Sequence, residues 1–170
     1  ISSCFRKGKI VVTATQMLES MTKNPRPTRA EVSDVANAVF DRTVATMLSG
    51  ESAAGLYPIQ AVSAMSKINE SAEKSINYHK RFHRYRLDLG NSHLSSICNA
   101  AVNASFQVDA KAIICVTYHG ITARMISAYR PACPIIAAVL DEKAYHQLGL
   151  AWGLYPARAS MQYTTDDISA

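Results

Sequence analysis

Residues 11–31, reading VVTATQMLESMTKNPRPTRAE, decide how the rest of this chain is read. Ile10, Val11 and Val12 form a β-branched run suited to a strand buried on both faces, and the run stops at the small polar cluster Thr13-Ala14-Thr15-Gln16. Hydroxyls and an amide at the carboxyl end of a buried parallel strand stand where α/β sheets and barrels hold their ligands. Pro25-Arg26-Pro27 then fixes the backbone outside any helix interior. Thr28, with Glu31 three residues on, spells a capping box, and Val32, Val35, Ala36, Val39 and Phe40 follow at helical spacing. The expectation is a strand, a polar tip and a capped helix with one apolar face.

The same grammar repeats downstream. Val44-Ala45-Thr46-Met47-Leu48 reads as a second buried strand, ending at Ser49-Gly50-Glu51-Ser52. Pro58 then opens a helix carrying Ile59, Val62, Met65 and Ile68. Strands and helices alternating at this spacing imply parallel strands, with both polar tips on one edge of the sheet. Thr15, Ser49 and Glu51 come from successive tips and can converge on one pocket. Read from the residues alone, the plainer alternative of turn and capping hydroxyls stays open.

From Ser75 the pattern weakens into a basic run interleaved with aromatics, YHKRFHRYR at 78–86. We read it as the boundary: a first unit at 1–77, a linker or helix end at 78–91, and a second unit at 92–170. A solvated helix end explains this run better than a nucleic-acid site. His79 and His83 stand four apart, but the glutamate of a zinc-protease motif is absent between them. The second unit opens with a helix bearing Leu94, Ile97, Cys98, Ala101, Val102 and Ser105, then a strand at 112–116. The loop Thr117-Tyr118-His119-Gly120-Ile121-Thr122 leads into a short helix that ends before Arg130-Pro131. Its hydroxyls, glycine and helix start make it either a phosphate cradle or a simple strand-to-helix turn. A further strand is expected at 135–139, with Asp141 capping a helix over 142–148.

With 170 residues, 48% hydrophobic and 18% charged, the composition is that of a globular chain able to bury a core. Eighteen Lys and Arg against 13 Asp and Glu give a net charge of +5, suited to anionic ligands such as phosphates but too diffuse to demand nucleic acid. Cys4, Cys98, Cys115 and Cys133 are too far apart to form a metal or redox pair, so reduced thiols in the cytoplasm are expected. No apolar run approaches the roughly 20 residues of a membrane span. The start at Ile1 and the polar tail TTDDISA at 164–170 suggest a fragment.

Three stretches together, ATQMLESM at 14–21, PRPTRAE at 25–31 and SDVANA at 33–38, closely resemble pyruvate kinase. The likeness continues through MLSGESA at 47–53 and Tyr57-Pro58, then more loosely through Tyr129-Arg130-Pro131 and Trp152-Gly153. It implies the last two strand-helix units of a TIM (β/α)8 barrel, followed by a three-layer α/β/α domain with a parallel sheet, truncated at its end. It further implies an enzyme that moves a phosphoryl group from phosphoenolpyruvate to ADP, giving pyruvate and ATP, in a cytoplasmic homotetramer that needs Mg²⁺ and K⁺. In that family the threonine matching Thr15 lies beside the enolpyruvate carbon. With the residues matching Ser49 and Glu51, it belongs to a hydrogen-bonded group around a water that protonates the enolate. A hydroxyl suits this relay because it both donates and accepts.

The metal carboxylates, the catalytic lysine and the potassium and nucleotide contacts belong to earlier barrel strands in the family. No metal ligand is therefore assigned in this chain, and the chain alone is expected to be inactive. The resemblance makes residues 117–122 an effector loop for a sugar phosphate or nucleotide, with His119 where a second hydroxyl is usual. It puts Arg29, a cation opposing the dipole at a helix start, at a subunit interface; an ordinary surface arginine is the alternative. Arg42 and Val44 replace a usual glycine and aspartate, so the turn there is expected to differ. The competing reading from another class is a non-catalytic module that binds a sugar phosphate or nucleotide through residues 117–122.

Overall fold

A computed structural model describes residues 1–160 except Arg86 and Asn91. The polar tail at 164–170 and the last arginine of the basic run lie outside the described residues. The chain divides into two compact units, Ile1–Asn77 and Tyr78–Ala170.

In the first unit α1 (Ser2–Arg6) precedes β1 (Val12–Thr13), a 3₁₀ turn (Glu19–Thr22), α2 (Arg29–Phe40), β2 (Ala45–Thr46), α3 (Gly50–Ala53) and α4 (Pro58–Lys74). β1 and β2 pair in parallel, with Val12 opposite Ala45 and Thr13 opposite Thr46. A helix between adjacent parallel strands is the arrangement the sequence rhythm implied. The strands are shorter than expected, and they are not buried on both faces: Ile10 is 44% exposed and Val12 45%. A two-strand sheet leaves a β-branched face uncovered wherever no further element lies against it.

Thr28 caps α2 as its spelling required, its hydroxyl accepting the Glu31 N–H while the Glu31 carboxylate accepts the Thr28 N–H. The helix ends in a Schellman turn: Arg42 N–H reaches the Val39 carbonyl at 3.0 Å and Thr43 N–H the Ala38 carbonyl at 3.1 Å. That turn requires a left-handed residue, and Arg42 supplies it with φ 74°. Arginine at this position therefore keeps the glycine-like geometry, and its guanidinium lies 4.7 Å above the Phe5 ring. Thr43 then takes a place no sequence pattern assigned. Buried, it accepts the Thr13 hydroxyl at 2.8 Å and donates toward the Val11 and Ala45 carbonyls, tying the two strands together.

The core of this unit joins Met17, Leu18 and Met21 to Val35 and Ala38 of α2 and Ala61 and Met65 of α4. Of the four apolar residues read along α4, Met65 is buried and Ile68 partly buried, whereas Ile59 and Val62 are 78% and 54% exposed. The buried residues of α4 are Ala61, Met65 and Ala72, with Ile68 partly buried against the same core.

The second unit contains α5 (Tyr78–Arg84), α6 (His93–Gln107), β3 (Ile113–Thr117), α7 (Ile121–Tyr129), β4 (Ile135–Val139), α8 (Glu142–Leu148) and β5 (Leu154–Arg158). Its sheet is parallel throughout, in the order β3-β4-β5, with Ile113, Ile135 and Leu154 aligned in one row. Cys98 and Val102 of α6, Ala123 and Ile126 of α7, and Ala144 and Leu148 of α8 pack on one face of it. The other face presents Ile114, Val116 and Tyr155, each more than half exposed. Asp141 caps α8 by accepting the Ala144 N–H at 3.0 Å, as expected. The basic run does not lie wholly in solvent: α5 packs Phe82 against Phe106 and Tyr129, and so joins the core.

Gly120, the N-cap of α7, has φ 75°, and a Cβ there would come within 3.0–3.2 Å of the Leu148 side chain. Gly120→Ala should therefore lower stability by about 1–2 kcal/mol, combining left-handed strain with overpacking. Urea unfolding of the two chains measures the difference.

Candidate active-site edge

Parallel pairing of β1 and β2 sends both strand tips to the same, carboxyl, edge. Thr15 lies two residues past β1 and Ser49 three past β2, at the N-cap of α3. The topology therefore brings the two segments to one edge. Glu51, in the first turn of α3, is fully buried. Its Oε1 accepts the Leu18 N–H at 3.0 Å and its Oε2 the Ser49 N–H at 2.7 Å. One carboxylate thus joins the loop after β1 to the loop after β2. Thr15 is exposed and, like Gln16, left-handed, with φ 71° and 54°. A β-branched residue in that region is an outlier of the kind found where surroundings over-determine the backbone.

Glu31, read from the sequence only as half of a capping box, also reaches Ser20. It accepts the Ser20 N–H at 2.7 Å and the Ser20 hydroxyl at 2.5 Å. A contact spanning eleven residues through a proline-fixed loop leaves no periodic trace. Burial pushes the carboxyls of Glu31 and Glu51 up, but the N–H and O–H donors outweigh it and hold both below the ordinary 4.5. Each is thus harder to protonate in the folded chain than in the unfolded one. The stability they confer is complete above about 4.5 and is lost as pH falls through the lowered values. Chemical denaturation between pH 6 and pH 3 should show this decline, and it should be shallower in Glu31→Gln.

The other sequence candidates lie elsewhere. Arg29 is exposed at the first position of α2. In the second unit Thr117 is buried and its hydroxyl accepts the Gly120 N–H at 3.1 Å. Tyr118 and Ile121 are about half exposed, His119 is exposed, and the Thr122 carbonyl faces the Cys98 thiol at 4.0 Å. The His119 carbonyl accepts the Arg124 guanidinium at 3.0 Å. Loop 117–122 thus joins β3 to the head of α7 and is tied by these hydrogen bonds.

Among the described residues no three His, Cys, Asp or Glu side chains gather as a metal ion needs. Glu51 spends both oxygens on amides, and His79 and His83 face one another, Nε2 to Nε2 at 3.2 Å, with no third ligand. Among the described residues no carboxylate set of the kind that holds Mg²⁺ is present. No helix among the described residues is long and apolar enough to cross a membrane.

Comparison with known proteins gives this edge its context. The family model of the pyruvate kinase barrel domain matches residues 1–62, and that of the pyruvate kinase alpha/beta domain matches residues 95–170. The chain belongs to the pyruvate kinase family. Pyruvate kinase of Lactobacillus delbrueckii subsp. bulgaricus is 49% identical over 173 residues, covering 99% of this chain and 29% of that protein. Pyruvate kinase of Clostridium acetobutylicum is 46% identical over 168 residues, covering 99% of this chain and 36% of that protein. The crystal structure of a pyruvate kinase from Cryptosporidium parvum superposes with a TM-score of 0.92 at 42% identity, covering 97% of this chain and 34% of that one. The chain therefore spans about a third of the length of its pyruvate kinase relatives. Its two units are the end of the pyruvate kinase barrel domain and the pyruvate kinase α/β domain.

Proposed function

We propose that this chain is the carboxyl-terminal part of a cytoplasmic pyruvate kinase and that it carries the proton-transfer edge of the active site. The intact enzyme transfers a phosphoryl group from phosphoenolpyruvate to ADP. Mg²⁺ and K⁺, when bound, spread the negative charge of that transfer, and their ligands lie on barrel strands outside this chain. Here Thr15 holds the water that delivers a proton to the terminal carbon of the enolate, and its hydroxyl relays that proton without becoming charged. Ser49 and Glu51 complete the hydrogen-bonded group. Glu51 works as an anion that orients it, since both its oxygens already accept N–H bonds. The observation that carries this reading is the Glu51 bridge between the two strand tips.

Loop 117–122 is the effector loop, and Arg29 belongs to a contact between subunits of a homotetramer. The 170-residue chain alone should give no pyruvate above background from phosphoenolpyruvate and ADP in a lactate dehydrogenase-coupled assay. Turnover there would refute the assignment of the missing cation sites to other strands.

A second reading, a non-catalytic sugar-phosphate or nucleotide module, draws on Gly120 at the head of α7, where the helix N-terminus can receive an anion. Calorimetry with sugar phosphates and AMP separates the two. Binding abolished by Thr122→Ala would favour the module; silence favours the enzyme part.

A further inference from the structure

Two carboxylates grip the segment that carries Thr15, and only one of them was a sequence candidate. Glu51 holds Leu18. Glu31 holds Ser20 through both its N–H and its hydroxyl, while the same carboxylate takes the Thr28 N–H at 2.7 Å and the Thr28 hydroxyl at 2.9 Å. Capping α2 requires only the Thr28 amide, so the Ser20 pair is a separate device. Upstream of these anchors Thr15 and Gln16 sit consecutively in the left-handed region, which side chains leave unless something holds them there.

We propose that Glu31 is a positioning residue: by clamping Ser20 beside the Glu51–Leu18 bond, it fixes segment 15–22 so that Thr15 keeps its left-handed backbone at the strand tip. The proposal rests on the reading of Thr15 as the proton relay. Glu31 touches no reacting atom in this scheme and acts through Ser20. Glutamate suits the task because one carboxylate has enough acceptor sites for four donors, whereas glutamine would turn an N–H₂ toward them. The two clamps are of like charge and near enough to repel, so each depends on its own donors to stay in place.

The first test uses the 170-residue chain. Glu31→Gln should speed amide hydrogen exchange at Leu18 and Ser20 by about tenfold or more and shift the Thr15 methyl resonance. Thr28→Ala removes the cap hydroxyl but leaves the Ser20 pair, and should leave that resonance in place. Ser20→Ala, which removes the hydroxyl arm alone, should give an intermediate change and serves if Glu31→Gln fails to fold. Unchanged exchange at Ser20, or an equal response to Thr28→Ala, would overturn the clamp.

The second test uses the full-length enzyme. There Glu31→Gln should lower kcat by about tenfold or more while KM for phosphoenolpyruvate stays within about twofold, since a displaced catalytic group costs rate before it costs binding. Glu31→Asp, which keeps the charge, should recover part of the loss. A loosened loop with full kcat would overturn Glu31 as a positioning residue, and the rate of Thr15→Val reads the role of Thr15 separately.

Discussion

Glu51→Gln should cost the folded chain about 3 kcal/mol, one of the two largest effects expected of any single substitution here. The carboxylate is fully buried and accepts two backbone N–H groups that have come from different strand tips. A hydrogen bond to a charged acceptor contributes roughly 1.5–3 kcal/mol, and a buried donor left unpaired costs a further 1–3 kcal/mol. Glutamine fills the same volume but has only one acceptor oxygen, so its N–H₂ must face either Leu18 or Ser49. The damage should fall on both loops together. Guanidinium unfolding reads the stability loss, and amide exchange at Leu18 and Ser49 reads its location. A loss below about 1 kcal/mol would mean that water or a neighbouring group satisfies these amides.

Thr15→Val in the full-length enzyme should lower kcat by about 10²–10⁴, the range a positioned acid–base group supplies. Valine is the matched replacement: it keeps the β-branch and the backbone cost of φ 71° and removes only the hydroxyl. Thr15→Ser, which keeps the hydroxyl, should retain most of the rate. The lactate dehydrogenase-coupled assay measures both. KM for phosphoenolpyruvate should change little, because the proposed relay would act on the enolate after phosphoryl transfer. A valine variant within about threefold of the parent would remove Thr15 from the proton step.

Much of the architecture was legible because local rules and the global fold agree. Thr28-x-x-Glu31 is a capping box in the sequence and in space, Asp141 caps the helix that follows it, and the strand at 135–139 is where β-branched and small residues run together. What misled the reading was burial. Ile59 and Val62 share the apolar spacing of Met65 and Ile68 along α4, yet they are exposed, while Ala61, Met65 and Ala72 are buried. β5 went unread because Pro156 interrupts its five residues, and proline demotes a strand in sequence even where, as in the outermost of the described strands, it is accommodated.

By itself the sequence determined the main strand-helix alternation, the caps at Thr28 and Asp141, the parallel sense of the strands and which hydroxyls and carboxylate follow the strand ends, all of which follow from neighbours within about four residues or from alternation along the chain. The tertiary structure alone decided that Glu51 bridges Leu18 to Ser49, that Glu31 reaches back to Ser20, and that Thr15 and Gln16 turn left-handed. Those contacts join residues up to 33 positions apart. Their partners meet only after β1 and β2 have paired, and backbone amides, present at nearly every residue, leave no mark in the sequence of which one a carboxylate will find.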